Sequence, residues 1–266
     1  LAEICDFGAR INPRRGFVFI SKILGKHWPC RPSEMLEIHH KLAQEINNTD
    51  KDPLIFIGMA ETATGLGHSV FESFLKISPG RKALFLQTTR YPLDGMESIK
   101  FQEEHSHATQ QYLYLPSTVE KLDLFQKACT AVLIDDEATS GQTFVNLTTA
   151  LRSVCPSLTN IVPMVLTDFT KGELSNKISR LEGVKQVNSI ALWQGSWEFR
   201  GDPSYLQSKL VAASAPVGCR RNHISPYTGR LGIDRAINLP ASMIERCAAI
   251  LDRPVVLVLG TGECMH

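Results

Sequence analysis

Five short apolar runs constrain the fold most: IFIG (55–58), KALFLQ (82–87), AVLID (131–135), NIVPMVL (160–166) and VNSIALW (187–193). Each has the length of a strand and is bounded by turn-forming residues. Because they are apolar throughout rather than at alternate positions, they read as strands buried on both faces. Between them the apolar spacing lengthens to that of a helix. Residues 33–46 place Met35, Ile38, Leu42 and Ile46 on one face, with Ser33 as the expected N-cap. Further helices are predicted over 67–77, 119–128, 143–154 and 241–251. Such alternation specifies an α/β protein with a parallel sheet covered by helices.

Two stretches break the rhythm. Residues 88–116 are long and polar and end in a run, YLYLP, that reads as a returning strand. A long excursion within a compact α/β unit is usually functional. Beyond Trp193 the alternation fades into Gly, Pro, Arg and Ser, which suggests a cap over the sheet edge. The chain has 266 residues, 43% hydrophobic and 21% charged, enough for one large core. Its net charge of +1 leaves no bulk field to recruit nucleic acid or an acidic membrane, so any anion site must be local. No apolar run is long enough to span a bilayer and the first residues do not resemble a signal peptide, so a soluble, cytoplasmic protein is expected. The seven cysteines contain no CxxC pair and are expected to be reduced. The chain begins without Met and ends just past a strand-like run, and reads as a piece of a longer one.

The third apolar run ends in two adjacent aspartates, Asp135 and Asp136, followed by Glu137, Ala138, Thr139, Ser140, Gly141, Gln142 and Thr143 at a helix start. In an open α/β sheet, ligands sit beyond the carboxyl ends of the strands, which is where this loop falls. Small and hydroxylated residues at a helix N-terminus aim backbone N–H groups and hydroxyls at one phosphate, and Gly141 permits close approach. The two carboxylates would repel a phosphate but accept hydrogen bonds from the vicinal hydroxyls of a ribose, directly or through a Mg²⁺ shell. Phosphate on the loop and ribose beside it define a sugar-phosphate site. A Walker loop is excluded by the missing GK[ST], and Gly65-x-Gly67 alone is weak support for a dinucleotide fold.

VLIDDEATSGQT (132–143) resembles the signature of type I phosphoribosyltransferases that binds 5-phosphoribosyl-1-pyrophosphate (PRPP). The resemblance implies a doubly wound parallel sheet with a smaller hood formed by the N- and C-terminal segments. The acids would bind the ribose hydroxyls, with Mg²⁺ held indirectly through PRPP, and 138–143 would hold the 5-phosphate. IFIGMAETATGLG resembles the family's pyrophosphate loop, which implies a non-proline cis peptide near Ala60-Glu61 and N–H groups of Ala60, Glu61 and Thr62 facing the pyrophosphate. Arg90 resembles the basic residue set against that group. Residues 91–111 stand where the family has a closing loop. That loop carries lysines and a His-Gly pair in orotate-type members; the counterparts here are Lys100, His105 and His107, which would supply charge on closure.

A zinc site at Glu104, His105 and His107 lacks identifiable further ligands. Arg10, Arg15, Lys22, Lys26 and His27 form either an exposed basic arm or part of the active-site rim. Trp193, Trp197 and Phe199 either stack on an acceptor base or fill the hood core. Together with EEHSHAT, GSWEF and GRLGI, these segments resemble an orotate-related bacterial subgroup found near tellurium-resistance genes, in which 253–266 opens a further domain. The expected organisation is an N-terminal rim segment (1–32), a transferase core (33–193), a hood extension (194–252) and that opening (253–266). The expected partners are PRPP and a nitrogenous base, in a two-fold homodimer without nucleic acid or membrane. The rival readings are a regulator that senses PRPP or a nucleotide, and a biosynthetic enzyme that takes a ribosyl phosphate from a nucleotide into an unusual metabolite.

Overall fold

A computed structural model describes residues 1–9, 17–46, 52–103, 110–198, 229–251 and 256–257. An antiparallel hairpin of β1 (Cys5–Ala9) and β2 (Phe17–Ser21) comes first, followed by α1 (Pro32–Glu45), β3 (Leu54–Gly58), α2 (Thr64–Ile77) and β4 (Ala83–Gln87). A second antiparallel hairpin, β5 (Ser98–Gln102) with β6 (Gln110–Tyr114), leads to α3 (Val119–Gln126), β7 (Thr130–Ala138), α4 (Gln142–Val154) and β8 (Asn160–Asp168). The chain continues through α5 (Glu173–Ser179), β9 (Gln186–Val187), β10 (Ile190–Gln194) and, later, α6 (Ala241–Leu251). None of the described helices is long and apolar enough to cross a membrane.

The central sheet is parallel, in the order β10-β8-β7-β3-β4, with β9 also on β8. β3, β4 and β8 are buried along their whole length, as their uninterrupted apolar sequences require. Alternate side chains feed two cores. Ile55, Ile57, Leu84, Leu86 and Leu133 pack with Phe144, Leu147 and Leu151 of α4 on one face. Leu54, Phe56, Phe85, Val132 and Ile134 pack with Leu66, Val70, Phe71 and Phe74 of α2 on the other. The helices after β3 and β7 therefore leave the sheet on opposite faces. That makes the β3/β7 pair the point at which the strand order reverses, where open α/β sheets form their ligand crevice.

Several expectations change. The helix predicted from Ser33 is capped instead by Arg31, without a side-chain hydrogen bond, because Pro32 occupies the first turn, where its fixed φ suits a helix and its missing N–H is not needed. The single strand expected over 187–193 is two short strands, and the break falls opposite Pro163, which has no N–H to give to a ladder. The hairpin of β1 and β2 is an addition, although Phe17 and Phe19 alternate with less buried neighbours as strand residues do. Near the start of the described stretch 229–251, Ile233 exchanges backbone hydrogen bonds of 2.7 and 2.8 Å with Phe85, so this stretch covers the outer edge of β4. Arg10, Arg15, Glu104, His105, His107, Phe199 and all of 253–266 except 256–257 lie outside the described residues.

Gly67 shows how tightly α2 sits on the sheet. A Cβ there would lie 2.9 Å from Gly58 Cα and 3.0 Å from Phe85 Cε2. In an open helix Gly→Ala gains about 1 kcal/mol; here backbone and a buried ring oppose it. Gly67→Ala is expected to destabilise the protein by about 1–3 kcal/mol, the range for overpacked cores. The midpoint of urea unfolding should fall with an unchanged m-value; a raised midpoint would show that α2 can move away at no cost.

Candidate active site

A cleft of about 310 Å³ lies beyond the carboxyl ends of β3, β4 and β7. Its floor is the end of β7, which brings Asp135, Asp136 and Glu137 in half-buried. The Asp136 N–H donates to Asp135 Oδ1 at 2.9 Å, which fixes one carboxylate against its neighbour's backbone. Burial pushes the Asp135 carboxyl well above the usual carboxylate range, and the charges of Asp136 and Glu103 push it further. Burial also raises Asp136, opposed by its hydrogen bond with Asp135 and by the charge of His27. Two acids this close cannot both ionise freely.

The chain then turns into α4 through Gly141, whose φ of 73° is left-handed and whose missing Cβ would meet Leu174 Cδ1 at 2.9 Å. Lys177 Nζ, on α5, donates to Ser140 O at 2.7 Å and holds the turn from behind. Thr139, Ser140, Gly141 and Thr143 line the cleft at a helix N-terminus, where the first turn of N–H groups has no intrahelical acceptor. The Gln142 side chain does not enter the cleft. It donates to Asn146 Oδ1 at 2.9 Å, away from the cleft, because the helical turn aims it along α4 towards β5; Asn146 in turn donates to Gln102 O.

The opposite wall is the loop after β3. The Ala60-Glu61 peptide is cis, as the resemblance implies, and Ala60, Glu61 and Thr62 all line the cleft. The Ala60 N–H, however, donates to Thr88 Oγ1 at 2.8 Å, and Ala60 O accepts from Gln111 Nε2 at 3.1 Å. The expectation that the Ala60 N–H faces an anion is therefore corrected, which leaves Glu61 and Thr62 to provide N–H groups there. Arg90 lines the cleft just after β4, with its guanidinium 3.0 Å from Glu103 Oε2.

Lys100 lies elsewhere. On β5, Ile99 and Phe101 turn inward, so Lys100 is exposed, its ammonium 5.9 Å from the Tyr112 ring centre. By the same parity Glu103 joins Phe101 on the cleft side. The N-terminal basic cluster divides: Lys26 and His27 form part of the cleft wall, while Lys22 pairs with Asp6 at 3.2 Å in the hairpin. Trp193 and Trp197 belong to an aromatic cluster with Phe17, Phe19 and Phe169, in which Phe19 stacks on Phe169 at 4.2 Å. Phe19 is the ring of that cluster that lines the cleft. Sequence reasoning missed Phe19, Gln111 and Lys177. The period-2 pattern of 17–21 was a usable signal for Phe19; nothing local marks the other two.

Residues 4–196 match the sequence profile of the phosphoribosyl transferase family, so the chain belongs to that family of glycosyl-transferring enzymes. Its α/β architecture is that of the type I members. Among solved structures it is similar to adenine phosphoribosyl transferase of Trypanosoma brucei, in complex with AMP, pyrophosphate and ribose-5-phosphate. That match has 11% identity, 71% of this chain and 76% of that one covered, and a TM-score of 0.48. It is also similar to Giardia lamblia APRTase complexed with 9-deazaadenine (15% identity, 74% and 96% covered, TM-score 0.48). Francisella tularensis orotate phosphoribosyltransferase gives 14% identity, 72% and 78% coverage and a TM-score of 0.41. No curated protein sequence matches.

The raised Asp135 pKa has a consequence for stability. An acid with a higher pKa when folded holds its proton more tightly in the folded state. Stability therefore falls as pH rises from the unfolded value of about 3.9 through the raised one. Asp135→Asn is expected to raise the melting temperature of the ligand-free protein at pH 7, with the gain shrinking as pH falls towards 4. A lower melting temperature at pH 7 would show that the carboxylate is favourably held.

Proposed function

We propose that the protein transfers 5-phosphoribose from PRPP to a nitrogenous base with release of pyrophosphate, in a Mg²⁺-dependent reaction. The observation that carries this reading is one cleft lined by the 135–143 loop, the cis-peptide loop at 60–62 and Arg90, at the point where the strand order reverses. Thr139, Ser140, Gly141 and Thr143 hold the 5-phosphate, and Asp135 and Asp136 accept hydrogen bonds from the ribose hydroxyls. This orients C1 towards the opposite wall, where the N–H groups of Glu61 and Thr62 and the Arg90 guanidinium receive the pyrophosphate. Departure of pyrophosphate leaves a sugar-cation-like centre, so positioning and charge neutralisation carry the rate and no side-chain nucleophile is needed. The acceptor enters from the side of Phe19, Lys26 and His27. Within the family we place the chain with the orotate-related subgroup, on its sequence motifs.

The site fits magnesium held through substrate oxygens. Among the described residues no group of three or more His, Cys, Asp or Glu is arranged to hold a metal ion, while the strained charge of Asp135 and Asp136 is what a shared cation would relieve. Bound with the donor, Mg²⁺ would supply charge neutralisation for the leaving pyrophosphate.

The test is pyrophosphate release from PRPP and Mg²⁺ against a panel of purine and pyrimidine bases, with products identified by mass spectrometry. Asp135→Asn combined with Asp136→Asn is expected to reduce turnover by about 10²-fold or more while leaving the circular dichroism spectrum unchanged. Full release by the folded double variant would refute the assignment. PRPP binding without release from any base would instead point to a sensor.

A further inference from the structure

Arg90 reaches the cleft with an anion already on it. Its Nη2 donates to Glu103 Oε2 at 3.0 Å, and the same oxygen accepts from Gln111 Nε2 at 2.8 Å. Gln111 is itself fixed: it is buried, its amide oxygen accepts from the Thr88 hydroxyl at 3.2 Å, and its Nε2 also donates to Ala60 O at 3.1 Å. Glu103 is therefore aimed at Arg90 by a side chain that cannot swing away. The pair is neither a surface contact nor a sealed one, with side-chain exposures of 28% for Arg90 and 24% for Glu103, and both residues line the cleft. Arg90 Nε is buried with no hydrogen-bond partner, so the guanidinium has donor capacity that Glu103 does not use.

A carboxylate and a phosphate compete for the same planar set of guanidinium donors. We propose that Glu103 is a built-in competitor for the cleft's anion: it occupies Arg90 in the empty site and must release it when pyrophosphate arrives. Glu103 thereby limits pyrophosphate affinity and favours product release, and Gln111 is the positioning residue that keeps it in place. This inference rests on the reading of the cleft as a PRPP and pyrophosphate site.

A plain structural tie predicts the opposite sign, since cutting it would loosen the wall and weaken binding. Calorimetric titration of the protein with inorganic pyrophosphate and Mg²⁺ separates the two. Glu103→Gln is expected to bind roughly 3- to 30-fold more tightly than wild type, the range for a charge-assisted hydrogen bond discounted for partial exposure. Arg90→Met should bind more weakly, and adding Glu103→Gln to it should change nothing further, because the competition acts through the guanidinium. Glu103→Ala serves as a second carboxylate-free variant should the first fail to fold. In steady-state assays Glu103→Gln should lower KM for PRPP without raising kcat. Unchanged or weaker binding by both carboxylate-free variants overturns the inference. So does an equal gain in the Arg90→Met background, which would be bare charge removal at a distance. Absence of pyrophosphate and PRPP binding in wild type overturns the reading of the cleft as well.

Discussion

The pairing of β3 with β7 is the constraint on which the rest depends. Gly58 sits beside Ile134 in that ladder, and the Met59 N–H donates to Ile134 O at 2.9 Å, so the two strands stay together to the carboxyl end of β3, while β7 runs on to Ala138 beside β8. There the chain must separate, because α2 belongs to one core and α4 to the other. The crevice follows from this topology and does not depend on which residues line it. What the sequence adds is chemistry at its two lips: a loop of small residues after β3, and acids followed by hydroxyls after β7.

Placing Asp135 and Asp136 at the end of a buried central strand opposes folding, since their carboxyls are taken from water next to one another. The scaffold around them is correspondingly apolar and rigid. β3, β4 and β8 are fully buried, and Phe71 and Phe74 of α2 form a contiguous aromatic layer with Phe56 and Phe85 of the sheet. The turn into α4 is held from outside by Lys177 and by the contact that would oppose any side chain at Gly141. Stability is concentrated in the sheet, and the site draws on it.

Much of this was legible in the sequence for a physical reason. A strand buried on both faces must be apolar throughout, so β3, β4, β7 and β8 announce themselves, and the acid and hydroxyl run after β7 is a local pattern. Parity is legible too: with Ile99 and Phe101 inward, Lys100 must point out and Glu103 must point in. Other features were beyond local reading. The Ala60 N–H looks available until Thr88, 28 residues on, accepts it, and Gln111, 51 residues on, takes its carbonyl. Likewise, Gln142 belongs to the signature run, but its side chain is claimed by Asn146, a partner the motif does not contain.

The charges around the cleft set what it can accept. Glu61, Glu103, Asp135, Asp136 and Glu137 line it, against Lys26, His27 and Arg90, so a naked polyphosphate meets more negative than positive groups. Favourable entry requires that the anion bring cations with it, or that the nearest acid be displaced from the nearest base. On the proposed reading the 5-phosphate is the exception, because backbone N–H groups and hydroxyls at the start of α4 offer it a place without any formal charge. The two ends of the proposed phosphoribosyl donor would thus be held by different physics. One end sits on neutral dipoles fixed by the fold, and the other at an arginine whose charge is already shared with Glu103. An enzyme that must keep the sugar while letting pyrophosphate go gains from that asymmetry.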